Sequence, residues 1–345
     1  WEMEHIKTGA QLVWLDRPDE NKTFGIAFKT IPEDSTGVFH ILEHSVLCGS
    51  DKYPVKEPFV ELLKSSVNTF LNAMTYPDKT VYPISSRNDK DFLNLLDVYM
   101  DAVLHPAIYH KSEIFRQEGW RYELRDGEAP VYQGVVFNEM KGAYATADTV
   151  LEYAMNGLMF PDNCYSVESG GHPEYIPDLT YEQFIANHQK YYHPSNSRIM
   201  LCGSVDIDAA LAHIDAYLKE YDRQSADFPI AMQQPVAYKE EKVSYEIGTE
   251  ESPEARTIVS CGVMLGKFDE QEKLYAAAVL KDYLAGDNDA PLKQAILNAG
   301  LGQDVKVNLH DGIQQNWMSW EVWNTDEDKL DAIKQTVEKV LTDLA

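Results

Sequence analysis

Three residues in the stretch Phe39-His40-Ile41-Leu42-Glu43-His44-Ser45 have the types and spacing to do chemistry together. On a helix, His40 and His44 stand four residues apart, so both imidazoles leave the same face one turn apart. Two neutral imidazoles so placed can reach one tetrahedral metal ion. Glu43 sits beside that face, where a carboxylate can take the proton of a water held at the metal. The order H-x-x-E-H reverses the more familiar H-E-x-x-H. The chain has ten His in 345 residues, so the register is not an accident of abundant histidine. A blander reading stays open: a helix with two His on a solvated or packed face.

The element that must carry these side chains is predicted over residues 36–47. Asp34 and Ser35 are available to cap its start, and Val38, Ile41 and Leu42 supply the apolar stripe. Cys48 follows the His pair, but Gly49 comes at once and a role as ligand is not favoured. The other cysteines, Cys164, Cys202 and Cys261, form no C-x-x-C pair and read as free thiols. That usage suits the cytoplasm, or an organelle matrix in a eukaryote. The chain opens at Trp1, so its native N-terminus is not visible.

Composition sets outer limits. The 30 basic and 56 acidic residues leave a net charge of −26, which repels nucleic acid and anionic membranes. No run of 18 apolar residues exists, so no spanning helix is expected. Strands are predicted over 11–16 and 23–31, then the motif helix, a short helix over 57–66, and strands over 69–73 and 80–83. A strongly periodic helix covers 88–104, with Asn88 or Asp89 as cap and His105-Pro106 as stop. Further helices are expected over 133–158, 180–191 and 207–221, with a strand over 199–204. Residues 223–236 hold two Pro and no period, which reads as a linker. The order then restarts: a strand over 257–264, helices over 269–284 and 291–300, a strand over 317–322 and a closing helix over 329–344. Domains are therefore placed at 1–222 and 237–345, the second a diverged copy of the first. Its only His is His310, so it cannot repeat the metal chemistry.

A metal held by two His needs a third protein ligand, and spacing alone does not choose among the many Glu. The wording of the sequence does. His40-Ile-Leu-Glu43-His44-Ser-Val-Leu-Cys-Gly-Ser-Asp-Lys-Tyr-Pro closely resembles the opening of the pitrilysin and insulin-degrading family of zinc metallopeptidases, whose motif is of the inverzincin type. The presequence protease branch is the most similar. Gly134-Val-Val-Phe-Asn-Glu139-Met-Lys-Gly142 resembles that branch's third-ligand segment, and residues 166–177 and 192–196 match in style. The resemblance implies an α+β fold of two repeated domains, each a mostly antiparallel sheet with helices on one face. It implies Zn2+ on His40, His44 and Glu139, with Glu43 as general base. The alternative for Glu139 is an exposed carboxylate near a helix start.

Phe70-Leu71-Asn72-Ala73-Met74-Thr75 resembles the family's edge strand beside the metal, where an unfolded peptide adds as a further strand. Asn72 and Ala73 would be the substrate contacts; an ordinary strand turning at Pro77 is the alternative. Glu118 could orient a zinc-bound His, although a surface salt bridge is the expectation favoured for it. His172 reads as a loop residue and His193 as a structural turn residue. Members of the family have four such domains, two per half, around a chamber, and the residues that hold the scissile carbonyl lie in the other half. The resemblance therefore implies a C-terminal half or a partner subunit to complete the enzyme. The competing reading is an inactive peptide-binding or scaffold half.

Overall fold

Alternation builds the first sheet. In the computed structural model, which describes residues 1–56 and 58–344, every second residue of the third strand is buried, and Phe24, Ile26 and Phe28 are wholly inaccessible. Glu57, where the expected short helix begins, and Ala345 lie outside the described residues. In chain order the elements of the first unit are β1 (Glu2–Glu4), β2 (Gln11–Asp16), β3 (Lys22–Lys29), α1 (Val38–Val46), α2 (Pro58–Ser65), β4 (Asn68–Leu71), β5 (Met74–Tyr76), β6 (Lys79–Ser86), α3 (Asp89–Leu104), α4 (Ser112–Glu118), β7 (Arg121–Glu123), β8 (Val131–Gln133) and α5 (Val135–Ala143). Next comes α6 (Ala147–Met159), which belongs elsewhere, then α7 (Tyr181–Tyr191), β9 (Ser197–Gly203) and α8 (Ile207–Leu218).

The sheet runs β1-β2-β9-β3-β6-β4, with β5 also on β6. All its pairs are antiparallel except β2 with β9. Helices α1, α3, α4, α7 and α8 bury one side of this sheet in a single core that includes Ile41, Leu42, Leu95, Phe184 and Ile214. A small hairpin of β7 and β8 leads into α5.

The second unit contains α6, β10 (Thr257–Lys267), α9 (Gln271–Ala285), α10 (Pro291–Asn298), β11 (Asp304–His310), β12 (Gln315–Thr325) and α11 (Leu330–Leu344). Its antiparallel sheet is ordered β10-β12-β11. Leu284, Ile296, Ile333 and Val337 from α9, α10 and α11 pack on Val305, Val307, Met318 and Val322 of that sheet. The architecture is thus α+β in two units, as expected.

Two expectations change in detail. The helix expected over 133–158 is two helices, because Thr146 turns extended and starts α6 with Asp148 in its first turn. The compact units are Trp1–Ala145 with Val167–Pro229, and Thr146–Ser166 with Ile230–Ala345. Residues 146–166, assigned to the first domain from sequence, therefore group with the later unit. There Phe160 packs edge-on against Trp317, and Gly262 leaves room for Met155 and Met159, a Cβ falling 2.8 Å from Met159 Sδ. No helix among the described residues is long and apolar enough to cross a membrane.

Candidate metal centre

Helix α1 presents His40 and His44 with ring centroids 5.0 Å apart. The residues expected to cap it do something else. Its N-cap is Gly37, at φ 68°, with no side-chain cap. Asp34 instead accepts from Thr36 N at 2.9 Å, and Ser35 Oγ accepts from Glu168 N at 3.1 Å. A Cβ on Gly37 would stand 2.7 Å from both Gly170 O and Gly171 Cα. The start of α1 therefore packs backbone to backbone on the Gly170-Gly171 loop. That contact lets His40 Nδ1 donate to Gly170 O at 2.8 Å.

His44 is oriented by a different element. Its Nδ1 lies 3.3 Å from Glu118 Oε2, at the end of α4. Glu118 is 6% exposed, so the surface salt bridge favoured from sequence is wrong. Its carboxylate is buried against the His and also accepts from Gln117 Nε2. Burial works to raise the Glu118 pKa, but the hydrogen bond from His44 and those from Gln117 and Cys48 hold it below the ordinary range. Burial likewise works to lower the His44 pKa. The Glu118 hydrogen bond and the charges of Glu43, Glu139 and Glu118 prevail and raise it.

With each Nδ1–H committed, each Nε2 lone pair is free, and both face Glu139. His40 Nε2 and His44 Nε2 each lie 3.6 Å from Glu139 Oε2. Glu139 sits mid-way along α5, whose start is fixed by a second close approach. A Cβ on Gly134 would fall 1.9 Å from Gly119 O, so the residue after Glu118 and the residue before α5 touch through bare backbone. The ligand atoms of His40, His44 and Glu139 all lie within 4.8 Å of one another, the one such cluster among the described residues. A tetrahedral ion with bonds of about 2.0–2.1 Å needs ligand atoms roughly 3.3 Å apart. The donor set and spacing fit zinc, and Glu139 is half-exposed, leaving the site open to a substrate.

Glu43 is buried, and its Oε2 accepts from Thr75 Oγ1 at 2.7 Å. Thr75 lies on β5, two residues past Ala73. The sequence singled out neither Thr75 nor the Gly170 carbonyl, although the Gly-Gly pair was visible. Cys48 Sγ points to His44 O and Glu118 Oε1 rather than to the cluster of Nε2 atoms. His172 lies in the loop that contacts Ser35, and His193 accepts from Ser195 N as a turn residue.

A family model described as Insulinase (Peptidase family M16) matches residues 31–150, and one described as Peptidase M16 inactive domain matches residues 178–345. The chain belongs to the M16 peptidase family. Similar M16 relatives include Protein HypA of Clostridium perfringens, 48% identical over 99% of this chain and 35% of its own length. Presequence protease 1 of Arabidopsis thaliana is 41% identical over 99% of this chain and 32% of its own length. The chain thus spans about a third of the curated M16 relatives it matches. Its fold is similar to that of an M16 inactive-domain structure from Pseudomonas fluorescens, with TM-score 0.73, 16% identity, and coverage of 99% of this chain and 79% of that one. It is also similar to that of pitrilysin, with TM-score 0.65, 17% identity, and coverage of 96% and 34%. The first unit of this M16 chain carries a clustered His/His/Glu site consistent with the peptidase centre of the family.

Proposed function

We propose that the chain is the metal-bearing portion of a zinc-dependent endopeptidase that cleaves short unstructured peptides. The observation that carries this is the meeting of His40 Nε2, His44 Nε2 and Glu139 Oε2 beside a buried Glu43. Zinc, when bound, supplies a Lewis acid that polarises the scissile carbonyl and acidifies water. The rest falls to the chain. His40 and His44 are held in the ligating tautomer by Gly170 and Glu118. Thr75 holds Glu43 Oε2, which leaves Oε1 to take a proton from the attacking water. As the C–N bond breaks, Glu43 returns that proton to the leaving amine.

Substrate docking is read onto the edge strand. Asn72 N donates to Pro83 O at 3.3 Å, so by alternation the N–H and C=O of Ala73 face away from β6. A peptide can add there as the next strand, a mode that needs an unfolded substrate. Asn72 is exposed and offers its side chain. The net charge of −26 favours basic peptides, and the relatives named presequence protease support that class. The remaining binding groups come from a C-terminal half or a partner subunit, which agrees with the chain's one-third share of its relatives. Four scattered cysteines with no C-x-x-C pair support a reducing setting, the cytoplasm or an organelle matrix.

The test is Glu43→Gln in the intact protein, with zinc content and peptide turnover measured together. Zinc should stay stoichiometric while kcat falls roughly 10²- to 10⁴-fold. Unchanged turnover removes Glu43 from the mechanism. Stoichiometric zinc with no cleavage by the unaltered protein favours a peptide-binding role instead.

A further inference from the structure

The edge strand beside Glu43 has a missing rung, and the structure fills it from the helix layer. Phe70 pairs with Ser85 and Leu71 with Ile84; past Asn72 and Ala73, Met74 pairs with Val81, Thr75 with Thr80 and Tyr76 with Lys79. The register is unbroken from Phe70 to Tyr76. Only the bonding lapses between β4 and β5, and the cause is the residue opposite Asn72. Pro83 accepts from Asn72 N but has no N–H to return. An unpaired carbonyl inside a sheet is destabilising. Here it is not left unpaired, because Tyr99 Oη, reaching up from α3, donates to Asn72 O at 3.2 Å.

We propose that Tyr99 and Pro83 together form a positioning device for the peptide-docking strand, with Tyr99 supplying the bond that Pro83 cannot. This rests on the reading of residues 72–73 as the docking segment. The side-chain tie differs from an ordinary rung in what it connects. A backbone N–H would fix Asn72 to β6 alone; Tyr99 fixes it to α3, in the layer that also holds α1. Two residues on, Thr75 ties the same strand to Glu43 Oε2. Ala73, whose main chain faces outward, is bracketed between the two ties. Its distance from the general base is therefore set by side chains on both flanks as well as by the sheet bonds that remain. Tyr99 is wholly buried. Burial, and then the nearby Glu43 charge, pushes its phenol well above the ordinary value, so it stays a donor throughout the working range.

The experiment uses Tyr99→Phe, Pro83→Ala and their combination in the intact protein. It combines hydrogen–deuterium exchange of residues 70–76 with zinc content, melting temperature and peptide kinetics. Tyr99→Phe should speed exchange in this segment roughly 2- to 10-fold, and raise KM by a similar factor with kcat little changed, the net worth of one hydrogen bond. Zinc content should not move. Adding Pro83→Ala restores a backbone donor opposite Asn72 and should return both exchange and KM toward the parent. Exchange that ignores Tyr99→Phe overturns the proposal. So does accelerated exchange that Pro83→Ala fails to reverse in a protein with the parent's melting temperature. If no form cleaves peptides, the endopeptidase reading falls, while the exchange data still decide the clamp.

Discussion

Helices α1 and α9 each follow a long strand of their own sheet, β3 and β10, yet the two helices differ in what they bury. Of the nine residues of α1, seven are buried, including the charged Glu43. Of the fifteen residues of α9, Ala277 and Leu284 alone are buried, while Tyr275 and Val279 are each 70% exposed. α9 begins Gln271-Glu272-Lys273 and contains no His. A helix in this position needs only an apolar stripe to hold its sheet. Chemistry needs more: a carbonyl for His40, a carboxylate for His44 and a third ligand, delivered by three separate segments. A buried carboxylate such as that of Glu43 is costly to a fold, and α9 buries none.

The largest expected effect comes from making α1 resemble α9. His44→Gln leaves two ligands and should take zinc from stoichiometric to none, measured by elemental analysis after dialysis; full zinc would place the ion elsewhere. The converse change weakens the second unit alone. Ile296→Ala removes a wholly buried side chain and should cost about 2–5 kcal/mol in denaturant unfolding, with zinc content in the first unit unaltered. A fall in zinc there would deny that the two roles are separable. A finer cut within the site is Glu118→Gln, which keeps the shape and loses the charge facing His44. Zinc affinity should drop roughly 10- to 100-fold, read by chelator competition, and an unchanged affinity would make Glu118 a packing residue.

Much of this contrast was legible in the chain. The helix over 88–104 emerged as Asp89–Leu104 with Asn88 accepting from Asp91 N, because its apolar period and cap are local signals. The H-x-x-E-H register is local too, since one helical turn contains it. What escaped was carried by backbone or by distance. Gly170 orients His40 through a carbonyl that every residue possesses, so only its neighbour glycines hint at the close approach. Glu118 looks like any surface carboxylate until α4 is folded against α1. The three-residue β1 is too short for periodicity to reveal. The break at Thr146 was missed because helical residues flank it on both sides, and its cap reads as one more polar position.

The smallest effect tests whether the two units also share a weakness. His188 and His310 both have pKa values pushed down to about 4 from 6.5, chiefly by burial. His188 donates to Val103 O at 3.1 Å through Nε2, accepts from Tyr109 Oη at 2.7 Å, and stacks on Tyr192. His310 lies flat on Trp317, with centroids 3.7 Å apart, next to the countervailing charge of Asp311. Between pH 6.5 and 4 the unfolded chain binds a proton at each site that the folded chain refuses. Stability from these sites is therefore complete above pH 6.5 and is lost as pH falls toward 4. Other imidazoles in the chain respond to acid as well, so the informative quantity is a difference. His188→Gln should flatten the dependence of the urea midpoint on pH between 7 and 5 relative to the parent, the metal ligands being identical in both. His310→Gln should flatten it to a similar extent, because its pKa is displaced to about the same value. Equal slopes in the parent and both variants would mean that acid acts on neither imidazole, and that the shared weakness of the units lies in their carboxylates.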